Sequence, residues 1–159
     1  MKKLFVLFLM LSIAFGVEAQ TNRRAPVRRA ATTQRAQTTE QKVLGKHMLS
    51  LQWISWDYFG SCNITKDDKG VLRCKGEQLS RENDDYLKIN GTITIVDANH
   101  LLFTGTIAMK IYHINGGKEC LREGTFDFKA TNGRKYWRLQ QMDNPCDEAC
   151  DYVDIYFRK

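Results

Sequence analysis

Residues 124–140 read GTFDFKATNGRKYWRLQ, and this stretch decides the fold. Apolar and polar side chains alternate on both sides of Asn132-Gly133, which is the pattern of two half-buried strands. Asn-Gly favours a two-residue type I′ turn and therefore a β-hairpin. A shift by one residue would place charged side chains on the apolar face, so the pattern specifies the register. The expected pairs are Phe128 with Trp137, Phe126 with Leu139, and Asp127 with Arg138.

The alternation extends upstream and predicts one apolar face across four neighbouring strands. A turn at Asn115-Gly116 would place Phe103 opposite Phe128. A three-residue loop at 98–100 would place Ile95 opposite Phe103. The face then holds Leu87, Ile89, Ile93, Ile95, Phe103, Ile107, Met109, Ile111, Phe126, Phe128, Trp137 and Leu139.

Eight strands are predicted after residue 45, joined by short turn-rich links, and no segment has the period of an amphipathic helix. A sheet with one apolar face must cover it with a second sheet or by closing on itself. We therefore expect an all-β, up-and-down antiparallel barrel with strand eight beside strand one; the alternative is a two-sheet sandwich. The predicted strands span 47–56, 61–66, 71–78, 86–97, 101–114, 118–130, 135–142 and 152–158.

The N-terminus has the features of a secretory signal. Two lysines precede an uncharged apolar run at residues 4–16, and small residues follow it. The run is short for a membrane span. We expect residues 1–19 to be a signal peptide cleaved near Ala19-Gln20, no transmembrane segment in the mature chain, and a secreted or periplasmic location.

The excess of positive charge lies before the predicted domain. Residues 20–44 hold five Arg, one Lys and one Glu, whereas residues 45–159 hold 16 basic and 16 acidic residues. The first segment is too poor in apolar residues to fold alone, so we expect a disordered basic linker followed by one β-barrel domain. A solvated spacer is the favoured role of the linker, and a contact with an anionic surface is the alternative. The neutral domain gives no argument for specific nucleic-acid recognition.

Five cysteines in an exported chain are candidates for disulfides. Cys62 and Cys74 lie at similar distances from the turn between their strands, so a bond across that hairpin is expected. The register places Cys120 next to Cys146, which predicts a second bond. Pairing of Cys150 with Cys120 or with Cys146 remains the alternative.

Few residues have the arrangement of a catalytic or metal site. His47, His100 and His113 belong to no known catalytic motif. Cys146 and Cys150 lack the spacing of a zinc site and have no His nearby. We therefore predict no enzymatic activity, no catalytic residue, no metal and no cofactor.

Large apolar side chains on the predicted inner face are the candidates for a ligand site, because a small barrel either fills its interior or encloses one small molecule. A packed interior is the favoured interpretation of these side chains, because the interiors of small barrels are normally filled. The candidate ligand-binding residues are Trp53, Phe103, Met109, Phe126, Phe128 and Trp137.

Three stretches resemble a group of small exported bacterial proteins without an assigned activity: YLKINGTITIVDANHLLFTGTI (86–107), INGGKECLREGTFDFKATNGRKYWRLQQMDNPCD (114–147) and DYVDIYF (151–157). This resemblance implies export and an all-β domain. The strand plan also resembles lipocalin-like barrels, a class that includes carriers of small apolar ligands and periplasmic inhibitors of lysozyme. Such likeness in fold implies no particular activity.

Two functions follow as hypotheses. The leading one is an exported non-enzymatic barrel of the cell envelope or the medium that binds a small apolar ligand or a protein partner. The alternative is a secreted inhibitor or adhesion module that acts through a disulfide-constrained loop at 144–151.

Overall fold

A computed structural model of the protein describes residues 38–158 and contains a closed barrel of eight antiparallel strands in chain order. The predicted all-β, up-and-down, lipocalin-like barrel is confirmed, and the sandwich alternative is excluded by the closure. No helix among the described residues is long and apolar enough to cross a bilayer. The strands are β1 (Gly45–Leu51), β2 (Gly60–Lys66), β3 (Leu72–Leu79), β4 (Tyr86–Asp97), β5 (His100–Lys110), β6 (Cys120–Lys129), β7 (Tyr136–Leu139) and β8 (Val153–Tyr156).

The barrel closes between its first and last strands. Leu49 pairs with Ile155 and Leu51 pairs with Val153, so the backbone groups of β1 and β8 hydrogen-bond to each other. Closure removes the unpaired backbone groups that an open sheet would expose. The predicted placement of strand eight beside strand one is therefore confirmed.

The interior is filled by the alternating apolar residues of all eight strands. Of the twelve residues expected on the inner face, eleven are buried and Ile95 is half-buried. Trp137, Phe103 and Phe128 are the largest fully buried side chains. Burial of these residues is the main term that stabilises the barrel.

Three predicted registers are wrong by two residues. Phe128 pairs with Leu139 rather than Trp137, and Phe103 pairs with Phe126 rather than Phe128. Ile95 pairs with Leu101. A shift of two positions keeps each side chain on its own face, because the strand period is two. The predicted inner face is therefore correct although the pairs are not.

The links between strands explain these shifts. Asn132 and Gly133 have positive φ values of 54° and 71°, as a type I′ turn requires. Lys135 O, however, already accepts a hydrogen bond from Phe157 N, just after the last strand. Pairing of β6 with β7 resumes only at Lys129 and Arg138. The other two shifts come from a bulge before a two-residue turn at 98–99, and from a long loop at 111–119 in place of a tight turn.

The strand connections meet at two ends of the barrel. We call the end formed by loops 52–59, 80–85, 111–119 and 140–152 the rim. The other three loops (67–71, 98–99 and 130–135) and both ends of the described chain lie at the opposite end, which we call the base. Residues 52–56, predicted as the end of the first strand, instead turn back at the rim through a bond from Ile54 N to Leu51 O.

Residues 38–44 differ from the expected disordered linker, because they pack against the base. Residues 38–43 form a short helix, and Val43 is fully buried. The ammonium of Lys42 lies 3.6 Å from the centre of the Phe157 ring and donates to Ala98 O at 3.2 Å. The His47 ring contacts Val43 O at 2.6 Å. The domain therefore begins before residue 45, and the predicted signal peptide and the rest of the linker lie outside the described residues.

Candidate functional site

The longest rim loop, residues 140–152, is held to the barrel by a disulfide. Cys120 at the start of β6 is bonded to Cys146, with Cα atoms 5.9 Å apart. This pairing was predicted, and the alternative pairs with Cys150 are not formed. Within the loop, Asn144 is buried, and its Oδ1 accepts from Cys146 N at 2.8 Å. The loop is thus cross-linked to β6 although most of its side chains are exposed.

A buried charged pair lies beneath the rim. Arg122 points into the barrel from β6, and its Nη1 lies 3.7 Å from Asp151 Oδ2. Among the described residues, neither atom has a hydrogen-bond partner. The other Arg122 amino group donates to Gln141 O, and Asp151 Oδ1 accepts from Trp53 Nε1 at 3.1 Å. The pair therefore ties two rim loops to β6.

Burial changes the acidity of both charged groups. It lowers the pKa of the Arg122 guanidinium, which Asp151 and Asp143 partly oppose. It raises the pKa of the Asp151 carboxyl, which hydrogen bonds from Trp53 and Asn144 and the Arg122 charge offset only in part. Such a pair is costly to bury, so its presence is weak evidence for a contribution to stability.

Aromatic rings extend from this buried pair to solvent. Trp53 makes an edge contact with His113 at 5.6 Å between centroids, and His113 makes another with Tyr112 at 4.6 Å. Tyr112 is 68% exposed, and Trp56 on the neighbouring loop is 56% exposed. Exposed aromatic side chains on a fixed scaffold are typical of protein-binding surfaces.

The rim is strongly acidic, although the domain as a whole is neutral. Within residues 38–158, the four rim loops hold nine carboxylates and two basic side chains, Arg81 and Lys118. Asp85 and Asp151 are buried, and the other seven carboxylates are exposed. Asp147 joins two loops by accepting from Asn115 N at 2.6 Å, and its backbone hydrogen bonds lower its pKa. The exposed carboxylates are Asp57, Glu82, Asp84, Glu119, Asp143, Asp147 and Glu148.

The predicted ligand-binding residues lie at three levels of the barrel. Phe103 contacts Phe126 and Phe128, with ring centroids 6.3 and 6.1 Å apart. Near the base, Trp137 packs on Phe157 at 4.4 Å. Met109 contacts Asn144 near the rim, and Trp53 lies in a rim loop rather than in the first strand. The binding of a small apolar ligand stays a prediction.

Two grooves lie on the outer wall instead. One, of about 530 Å³, is bordered by Met48, Phe59 and Leu79, and the other, of about 380 Å³, lies over Gly76.

The three histidines do not meet: His47 is at the base, His100 bonds to Asp127 at 2.7 Å on the wall, and His113 is at the rim. No group of three or more His, Cys, Asp or Glu side chains within residues 38–158 is arranged to hold a metal ion.

Sequence reasoning missed Arg122 and Asp151 as rim residues. The signal for Arg122 was present, because it shares the even-numbered inner face of β6 with Cys120, Phe126 and Phe128. A charged residue on an apolar face indicates a buried partner. That partner could not be identified from the sequence, because Asp151 lies in an irregular loop.

A model of the PM1083 family matches residues 29–157. An uncharacterized protein of Pasteurella multocida (strain Pm70), PM1083, is 43% identical over 157 residues, which is 99% of this chain and 96% of the relative. No solved structure matches the chain. The chain therefore belongs to the PM1083 family.

Proposed function

We propose that the protein is an exported, non-enzymatic barrel that binds a partner protein with a basic surface through its rim. The observation that carries the proposal is an exposed and acidic loop surface that is cross-linked to the barrel by Cys120–Cys146. A pre-ordered surface loses little conformational entropy on binding. The function is thus that of an inhibitor or adhesion module acting through the disulfide-constrained loop, in the cell envelope or outside the cell.

Charge supports a basic partner. Seven exposed carboxylates against two basic residues make the rim attractive to cations at distances up to the Debye length of about 8 Å in physiological salt. Such a field raises association rates and discriminates against acidic proteins. The exposed rings of Trp56 and Tyr112 supply the apolar contact that charge alone does not give.

The layout of the chain supports display of the rim away from the N-terminus. β1 starts at Gly45 at the base and ends at Leu51 at the rim, where Leu51 pairs with Val153 directly after the 140–152 loop. The described chain therefore begins at the end opposite the rim. A linker that contacts an anionic surface would leave the acidic rim free.

The test is a charge-reversal experiment on the full chain. Glu82→Lys with Glu148→Lys changes two exposed rim carboxylates, and Asp68→Lys with Glu123→Lys makes the same charge change at the base and on the wall. Association with purified secreted proteins of strongly basic and strongly acidic character is measured by biolayer interferometry at low and high salt.

We expect salt-sensitive binding to at least one basic protein, reduced about tenfold or more by the rim pair and within about twofold of wild type for the control pair. Equal losses in both variants would show only a general charge effect and would contradict the proposal. Binding restricted to acidic proteins would contradict it as well. Cell fractionation with N-terminal sequencing tests export separately, through the presence of a chain that starts near Gln20.

A further inference from the structure

Two cysteines on neighbouring strands face each other inside the barrel, outside the proposed rim site. Cys62 on β2 and Cys74 on β3 are 0% and 1% exposed, and their sulfur atoms lie 3.0 Å apart. The bond expected from the sequence across this hairpin is not formed in the structure, where both cysteines are thiols. The two sulfurs are therefore about 1 Å farther apart than the roughly 2.05 Å of a disulfide bond.

The strand register explains why the two sulfur atoms lie so close together. Cys62 pairs with Gly76 and Cys74 pairs with Ile64, so the two cysteines are diagonal neighbours on the inner face. Gly76 leaves the space between them open, since a Cβ there would lie 2.8 Å from Cys62 Cβ. The strands therefore approach closely where the sulfurs meet, and the partner directly opposite Cys62 has no side chain to separate them.

From this geometry we propose that Cys62 and Cys74 form a second disulfide, and that it forms before the barrel closes. The bond requires an oxidant with a disulfide of its own, such as oxidised glutathione or a thiol–disulfide exchange protein. The first cysteine thiolate attacks the oxidant and releases one thiol; the second thiolate then displaces the other thiol. The two protein thiols lose two protons and two electrons, and the oxidant's disulfide becomes two thiols.

Burial determines the order of these events. In the folded barrel both sulfurs are shielded from any reagent, and the hydrogen bond with Cys62 together with burial raises the pKa of the Cys74 thiol. Because the thiolate is the reactive form, the folded dithiol reacts slowly. The two cysteines belong to one hairpin, so they can meet early in folding, when the oxidant still has access.

The inference rests on the proposed export in one respect only, since export would place the chain in an oxidising environment. Its test therefore uses refolding of the chain in a defined redox mixture, which does not depend on export. The full chain is unfolded and reduced, refolded in a mixture of reduced and oxidised glutathione, then unfolded without reductant in iodoacetamide and mapped by mass spectrometry. We expect alkylation at Cys150 alone, and a linked pair of peptides containing Cys62 and Cys74. Alkylation of both Cys62 and Cys74 in the wild-type chain would overturn the proposal.

Two further measurements complete the test. Refolding the Cys62→Ala variant should leave Cys74 alkylated, which shows that the reagent reaches this position. Adding oxidised glutathione only after the reduced chain has folded should form the bond at least about tenfold more slowly than during refolding; equal rates would refute the proposed order. A chain that keeps its leader and free thiols in cells but forms the bond on refolding would count against export and leave the disulfide standing.

Discussion

Asp151 is a carboxylate whose acidity is set by burial. It is fully buried, and burial raises its pKa above the ordinary value despite the nearby Arg122. A raised pKa means that the folded state holds the proton more tightly than the unfolded chain does. The contribution of Asp151 to stability is therefore largest below the unfolded pKa of about 3.9 and is lost as the pH rises through the folded pKa.

We expect this dependence to disappear when Asp151 cannot ionise. The free energy of unfolding is measured by urea denaturation between about pH 3 and pH 7 for the wild type and for Asp151→Asn. The free energy of unfolding of the wild type minus that of the variant should decrease as the pH rises from about 4. A difference that is constant or increases with pH would contradict the assignment of the raised pKa.

Gly91 is required by the close approach of β4 and β5. A Cβ at this position would lie 2.3 Å from Thr104 O and 2.9 Å from Gly105 Cα, and neither backbone atom can move without disturbing the ladder. We expect Gly91→Ala to lower the free energy of unfolding by about 1–3 kcal/mol or more. Thr94→Ala, on the exposed face of the same strand, should stay within about 0.5 kcal/mol in the same urea titration.

Among the strands, β7 and β8 depend on one ion pair. Arg138 Nε and Nη2 donate to the two oxygens of Asp154, each at 2.7 Å, and Asp154 is fully buried on the outer side of β8. The guanidinium also lies 4.2 Å from the centre of the Tyr152 ring. The hydrogen bond to Asp154 raises the pKa of Arg138. Two strands of four residues are thus joined by a side-chain interaction as well as by backbone bonds.

Removing Arg138 should be far more damaging than removing an exposed arginine. Arg138→Met leaves Asp154 buried without its partner and should cost about 3–5 kcal/mol. Arg73→Met is the matched control, because Arg73 pairs with Asp67 at 3.0 Å but is 59% exposed, and it should cost at most about 1 kcal/mol. Chemical denaturation gives both values, and similar costs for the two variants would contradict this account.

The strands also show which parts of the fold the sequence could predict. The period of two placed eleven of the twelve expected residues in the core, because it depends only on each strand's own pattern. The pairs were wrong by two residues because pairing depends on where each loop ends, and loops 98–99 and 111–119 are shaped by bulges and turns that a short motif does not encode.

At the scale of the whole molecule, the Cys120–Cys146 bond connects the barrel to the rim. Double replacement by alanine should lower the free energy of unfolding by about 2–4 kcal/mol and increase hydrogen exchange of residues 140–152. Cys150→Ala, which removes an exposed thiol, should change neither measurement appreciably. Unchanged exchange in the double variant would show that hydrogen bonds alone hold the loop.

The sequence by itself favoured an antiparallel barrel with a packed apolar interior, and it predicted a cross-link between Cys120 and Cys146 while leaving pairings with Cys150 open. Those features follow from side-chain alternation and turn residues, which act between neighbours in the chain. Only the tertiary structure decided that four separate loops form one acidic rim, that Arg122 meets Asp151 beneath it, and that residues 38–44 cover the opposite end. These arrangements require the barrel to close, because closure alone brings together residues that are far apart in the sequence.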